Sequence, residues 1–183
     1  MKKLLLVPLT AAALVLAACS TEKPGTPSAA PSSPAQGGES TAPTTATGGA
    51  DPASIDPCSL LGVADLASYG TFKGPVPQND AGARGCEFTK EAESAADAVS
   101  LGVDIRDKQG IDSVADSGNG KTTGNVNGRK AVLVPKPPSG CLMALEIGAS
   151  ARADIVVVST DPEKSCGMAE KIADIVEPKL PKG

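Results

Sequence analysis

Five cysteines, at positions 19, 58, 86, 141 and 166, and not one histidine bound what this 183-residue chain can fold into. Cys58, Cys86, Cys141 and Cys166 are widely spaced and form no C-x-x-C pair, and no imidazole is on hand to complete a zinc site. Pairing as disulfides is the remaining structural use, and it places the chain in an oxidising compartment. An odd count leaves one thiol over. The residues around Cys19 say what becomes of it.

The chain opens MKKLLLVPLTAAALVLAACS: Lys2 and Lys3, then an apolar run from Leu4 to Leu16 broken only by Pro8 and Thr10. That run is too short to span a bilayer but suits the core of a secretion signal. It ends in Leu16-Ala17-Ala18-Cys19, which resembles the lipobox of bacterial lipoproteins, where the Cys thiol receives a diacylglyceryl group and becomes the first residue after cleavage. Two acyl chains are what stable anchoring requires. Residues 1–18 are therefore expected to be a lipoprotein signal peptide and Cys19 the lipid attachment site. The expected address is the extracytoplasmic face of the cell membrane. Removing Cys19 also leaves an even four cysteines.

From Ser20 to Ala50 every residue is Ala, Ser, Thr, Pro or Gly except Glu22, Lys23, Gln36 and Glu39. Nothing there can build a core, so residues 19–50 are expected to be a lipidated Cys plus a disordered linker, reaching on the order of 30 Å. Residues 51–183 form a single globular domain in this reading, large enough to bury about two-thirds of its unfolded surface. They hold 14 basic and 19 acidic residues, a net of −5, with no Lys/Arg run. Nucleic acid is not an expected partner, and attraction to anionic lipid heads cannot replace the acyl anchor.

Within the domain, Asp56 and Pro57 read as the cap and first residue of a helix that Gly70 ends, with Gly62 a point where it splits. Gly85 to Lys90 reads as a strand, and Val99 to Ile105 alternates Val99, Leu101, Val103, Ile105 against Ser100, Gly102, Asp104. Residues 109–117 read as a weak short helix. Asn127-Gly128 is a hairpin signal joining Thr122–Val126 to Arg129–Val134. PKPPSG then turns into Cys141–Ala149, and SARA turns into Asp154–Thr160. A last helix starts at Asp161-Pro162, with Cys166, Ala169, Ile172, Ala173, Val176 and Leu180 on one face. The expected fold is α+β: an antiparallel meander of about five to six strands, packed by an N-terminal and a C-terminal helix and held by two disulfides.

If SARA is the turn, Cys141 lies opposite about Thr160, a few residues before the last helix, and both Cys141 and Cys166 face inward. That geometry favours Cys141–Cys166, and Cys58–Cys86 follows by elimination.

PCSLL (Pro57 to Leu61), Gly70, Cys86-Glu87-Phe88, Gly128-Arg129-x-Ala131, Cys141 and CGMAEKIADIVEPKLP (Cys166 to Pro181) occur in that order. Together with the lipobox they resemble the actinobacterial lipoprotein family known as domain of unknown function 3558, over about Asp56 to Pro181. This chain departs from the family's usual pattern at Phe88, where Trp is common, and at Gly62, where Thr is. The resemblance implies a location and four cysteines; it implies no chemistry.

One stretch imitates an enzyme fingerprint. ADSGNGKT, Ala115 to Thr122, approximates a phosphate-binding loop, but its first Gly is Ala115 and no buried strand precedes it. A hairpin, not a helix, follows. Read as a calcium loop, it offers Gly118 and Gly120 where ligands are needed. It is expected to be a connecting loop. Glu87, Glu91, Glu93 and Asp97 are numerous enough for a glycosidase pair, but read more simply as a solvated hairpin loop. The lack of His excludes Ser-His-Asp and Cys-His catalysis. Ser-Lys chemistry stays open, but no S-x-x-K falls on an expected helix, and Ser113, Ser117 and Ser159 are unremarkable. The expectation is a membrane-anchored, non-catalytic binding or interaction module needing no cofactor or metal. Its partners are the membrane, through Cys19, and an envelope protein, a cell-wall component or a small molecule. The competing reading is a cell-envelope hydrolase using carboxylates or a Ser-Lys pair. A deep pocket with two convergent carboxylates, or a Ser beside a buried Lys, would favour the hydrolase; a shallow apolar groove on the sheet would favour binding.

Overall fold

A computed structural model describes residues 51–182. The expected signal peptide, lipid attachment site and linker lie outside the described residues. Seven strands form one antiparallel sheet: β1 (Phe72–Asp80), β2 (Ala83–Lys90), β3 (Ser100–Arg106), β4 (Thr122–Val126), β5 (Arg129–Lys136), β6 (Gly140–Gly148) and β7 (Ala151–Val158). Their order across the sheet is β1-β2-β3-β7-β6-β5-β4, and every neighbouring pair is antiparallel. The sheet is thus two meanders, β1–β3 and β4–β7, joined at its centre by β3 pairing with β7, instead of the single meander of five to six strands expected. Residues 107–121 carry the chain from that centre to the far edge.

Alternation decides the faces. Leu101, Val103 and Ile105 of β3, Ala153, Ile155 and Val157 of β7, and Cys141, Met143 and Leu145 of β6 are all buried on one face. Two separate covers lie over that face. The helix α1 (Pro162–Val176) packs on β5, β6 and β7. Two short 3-10 segments, Pro57–Ser59 and Val63–Tyr69, pack on β1, β2 and β3 with Leu60, Leu61 and Leu66 buried beneath them. On the opposite face, Ile111 and Val114 of the 107–121 crossover pack on Val132, Val134, Leu142 and Ala144. β6 is therefore buried on both faces along most of its length.

The expected N-terminal helix is absent as an α-helix, although its punctuation is correct. The Asp56 carboxylate accepts from the Cys58 N–H, Pro57 opens the first segment, and Gly70, at φ 117°, ends the second. Gly62 is extended, and its N–H donates to Asp65 Oδ2 at 3.0 Å, so the chain restarts instead of continuing. The weak helix expected at 109–117 is one 3-10 turn, Ile111–Ser113. The last helix starts as expected, with Asp161 Oδ1 accepting from the N–H groups of Glu163 and Lys164 and Pro162 first, but it ends at Val176, and Leu180, expected on its face, follows a 3-10 turn at Glu177–Lys179. The Asn127-Gly128 turn has φ of 50° and 88°, both positive as a type I′ hairpin demands.

The disulfides are Cys58–Cys86 and Cys141–Cys166. The expected pairing holds, but the register behind it does not. The β6–β7 turn is Ala149–Ser150, followed at once by strand, so Cys141 stands opposite Val157 and not Thr160. A bulge between Glu146 and Gly148 tightens that turn. Cys141–Cys166 fastens α1 to the central strands across 25 residues. Replacing both with Ala should lower stability by about 3.5 kcal/mol in the chain-entropy account. Urea unfolding of the double variant checks this; an unchanged midpoint would show that the tether adds nothing.

Candidate functional site

Where the two covers adjoin, they leave a cavity of about 370 Å³, within the range of small-molecule sites. Val99 and Val157 supply its sheet side, Tyr69 comes from the end of the N-terminal cover, and Gly167 and Met168 come from α1. The lining is mainly apolar, and three lysines, Lys90, Lys164 and Lys171, stand with it. One wall is the β2–β3 loop. Ser94 Oγ donates to Asp97 Oδ2 at 2.6 Å, and Thr160 Oγ1 donates to the Ala96 carbonyl at 3.1 Å, tying that loop to the entry of α1. The Lys90 stem lies over Gly70, where a Cβ would meet its Cε.

Gly167 is the one lining position without a side chain. A glycine inside an exposed helix costs about 1 kcal/mol relative to alanine. A Cβ at this glycine would meet no atom within 4 Å outside its own helix. The missing side chain is space on the cavity side.

A second polar cluster lies on the opposite face of the sheet. Asp154, almost wholly buried, accepts from Arg106 Nε at 2.6 Å and from Arg152 Nε at 2.7 Å. The buried Arg152 guanidinium also donates to the carbonyls of Gln109 and Gly110 and to Ser113 Oγ, which pins the start of the crossover to the sheet. Asp104 faces Asp154 across the β3–β7 ladder and Gly85 across the β2–β3 ladder, where a Cβ would collide with its Oδ1. Both arginines serve Asp154. Burial, then repulsion from Asp154, push the Asp104 carboxyl up to about 6, against the pull of Arg106.

The residues singled out in the sequence fall into place separately. Glu87 accepts from Gln78 and Ser100, Glu91 pairs with Lys73, and Asp97 accepts from Ser94, so these carboxylates face different partners. Glu93 is exposed in the β2–β3 loop. Ser113 is engaged by Arg152, while Ser159 bonds the buried Ser165 and the Asp161 carbonyl. Ser117 is exposed in the 115–121 loop. Among the described residues, no lysine ammonium hydrogen-bonds a serine hydroxyl; the lysine donors reach Val114, Asp112, Leu60 and Asp65. Ala115 to Thr122 is a loop that runs into β4, with Gly118 and Gly120 at positive φ and Lys121 Nζ held on the Val114 carbonyl. Among the described residues, no group of three His, Cys, Asp or Glu is placed to hold a metal ion.

Sequence reasoning missed both the seam cavity and the buried Arg152–Asp154 pair. Lys164, Gly167 and Lys171 recur at helical spacing, a visible signal for one helix face, but the opposing wall is set by tertiary packing. Arg152 was hidden because SARA reads as a turn, although Ala151–Val158 is strand.

The raised Asp104 value carries a sign. Its carboxyl binds a proton more readily folded than unfolded, so stability falls as pH rises from about 3.8 through about 6. Asp104→Asn should therefore be more stable than the native protein at neutral pH, with the gain gone near pH 4. Thermal melts across that range check it, and a gain independent of pH would remove the titration from the explanation.

Compared with known proteins, no curated sequence and no solved structure matches the chain. Among protein families, residues 14–179 match the one described as protein of unknown function (DUF3558). A match over most of the length settles kinship, and the chain belongs to the DUF3558 family.

Proposed function

We propose that this protein is a lipid-anchored component of the extracytoplasmic face of an actinobacterial cell membrane, and that its globular part binds a ligand without transforming it. The observation that carries the binding role is the seam cavity: an apolar recess between two independently attached covers, kept open by a helix glycine. The anchor reading rests on the leader and on Leu16 to Cys19. The family match begins at residue 14 and so takes in Cys19. Two disulfides in a chain with five cysteines are consistent with an oxidising compartment and with a separate role for the first cysteine.

The hydrolase alternative would draw on Asp104, whose carboxyl, pushed up to about 6, suits a general acid. Against it, both Asp154 oxygens are occupied by Arg106 and Arg152. That leaves one carboxyl group where a glycosidase needs two.

Two experiments test the proposal. Cys19→Ala should move the protein from the membrane fraction to the medium; retention in the membrane would refute the anchor. For the cavity, the neutral apolar dye N-phenyl-naphthylamine should bind the full chain and fluoresce. Gly167→Leu, which fills the recess, should abolish that signal while the melting temperature holds or rises, because leucine is the better helix former. Equal dye binding by the variant would place the dye elsewhere and contradict the cavity as the site.

A further inference from the structure

We infer that the seam cavity takes a single-chain amphiphile with an anionic head, its alkyl tail on Tyr69, Val99, Val157 and Met168 and its carboxylate or phosphate among Lys90, Lys164 and Lys171. This rests on the binding role proposed above and names the chemistry of the ligand.

Three observations converge. First, the lining is mainly apolar but includes three lysines and a single carboxylate, Asp97, which is already hydrogen-bonded by Ser94. This concentration of positive charge occurs in a domain of net charge −5. Second, the three lysines are uncommitted. Lys73, Lys130 and Lys179 form ion pairs with acidic side chains, and Lys121 is held by a carbonyl. Among the described residues, Lys90, Lys164 and Lys171 make no ion pair, as is also true of Lys108, Lys136 and Lys182, but only these three are gathered around one apolar recess. Third, Lys164 sits in the first turn of α1, where the helix dipole disfavours a cation. Lys164 and Lys171 flank Gly167, one turn to each side, so the two charges and the opened space share one helix face. A shallower depression of about 230 Å³ shares Lys90, Val99 and Thr160 with the cavity and reaches Val158, an exposed apolar side chain, which gives a tail room to extend.

An anion brought to this rim meets ammonium groups beside low-dielectric walls, and one charge-assisted hydrogen bond there is worth about tenfold in affinity. The test uses the full chain carrying Cys19→Ala, so that no acyl chain of its own competes. Dodecanoate, dodecyl phosphate and dodecanol are titrated as competitors of N-phenyl-naphthylamine. Dodecanoate and dodecyl phosphate should displace the dye about tenfold more effectively than dodecanol. In Lys164→Gln/Lys171→Gln that advantage should shrink to about twofold, with dodecanol unchanged and the melting temperature preserved. Inorganic phosphate alone should displace nothing. Equal displacement by dodecanol and dodecanoate, or an anion preference that survives the double substitution, would overturn the head-group assignment while leaving the cavity a binding site. Displacement by inorganic phosphate as strong as by dodecyl phosphate would deny the tail any part. No dye binding at all would defeat the binding role itself.

Discussion

The pairing of β3 with β7 is the constraint from which the rest of the molecule follows. Seven consecutive residue pairs, Ser100 with Val158 through Arg106 with Arg152, join two meanders that are otherwise complete. Because β7 follows β4, β5 and β6 in the chain, this pairing forces the link from β3 to cross the sheet to its far edge. That link supplies Ile111 and Val114 as a small core on one face. The other face is left to whatever precedes β1 and follows β7. The N-terminal turns cover the first meander and α1 covers the second. One sheet with two covers from opposite ends of the chain has a seam, and the candidate site lies in it.

Each cover is fixed by its own disulfide, Cys58–Cys86 for the N-terminal turns and Cys141–Cys166 for α1. Other ties reach between distant segments. Arg84 donates to the carbonyls of Pro52 and Ile55 and to Asp107, joining the start of the domain to the end of β3. Arg129 binds Glu177 and the carbonyls of Glu146 and Pro181, clamping the segment after α1 onto the sheet. Lys179 donates to the Leu60 carbonyl and Asp65, so the covers touch at one end of the seam. At the other end the cavity remains. The recess lies between separately anchored walls, over Val157 of β7 and over Val99, which leads into β3.

What the sequence made legible were local signals with a mechanism: the Asp56-Pro57 and Asp161-Pro162 caps, the Asn127-Gly128 turn, and the alternation of Val99 to Ile105. β1 was invisible. Phe72–Asp80 holds two prolines and two charged residues and buries only Phe72, as an edge strand permits but no periodicity announces. The first helix differs from its reading in type: the caps and the break at Gly62 are where the sequence puts them, but both pieces are short 3-10 segments. The disulfides were paired correctly on a register three residues out. That argument needed only Cys141 and Cys166 to face the same interior, which the alternation along β6 and the inner face of α1 supply whatever the register across the turn. The seam itself was not legible, since Tyr69, Val99 and Gly167 meet only after the β3–β7 pairing has folded both ends of the chain onto one face.

The central claim is that this seam is where a ligand is received. Following backbone amide resonances during titration with dodecanoate tests it most directly. The account predicts shifts confined to Tyr69, the 96–99 loop, Val157 and the first turns of α1, saturating together. Shifts centred instead on Arg106, Ser113 and Arg152 on the opposite face, or none at saturating concentration, would contradict it.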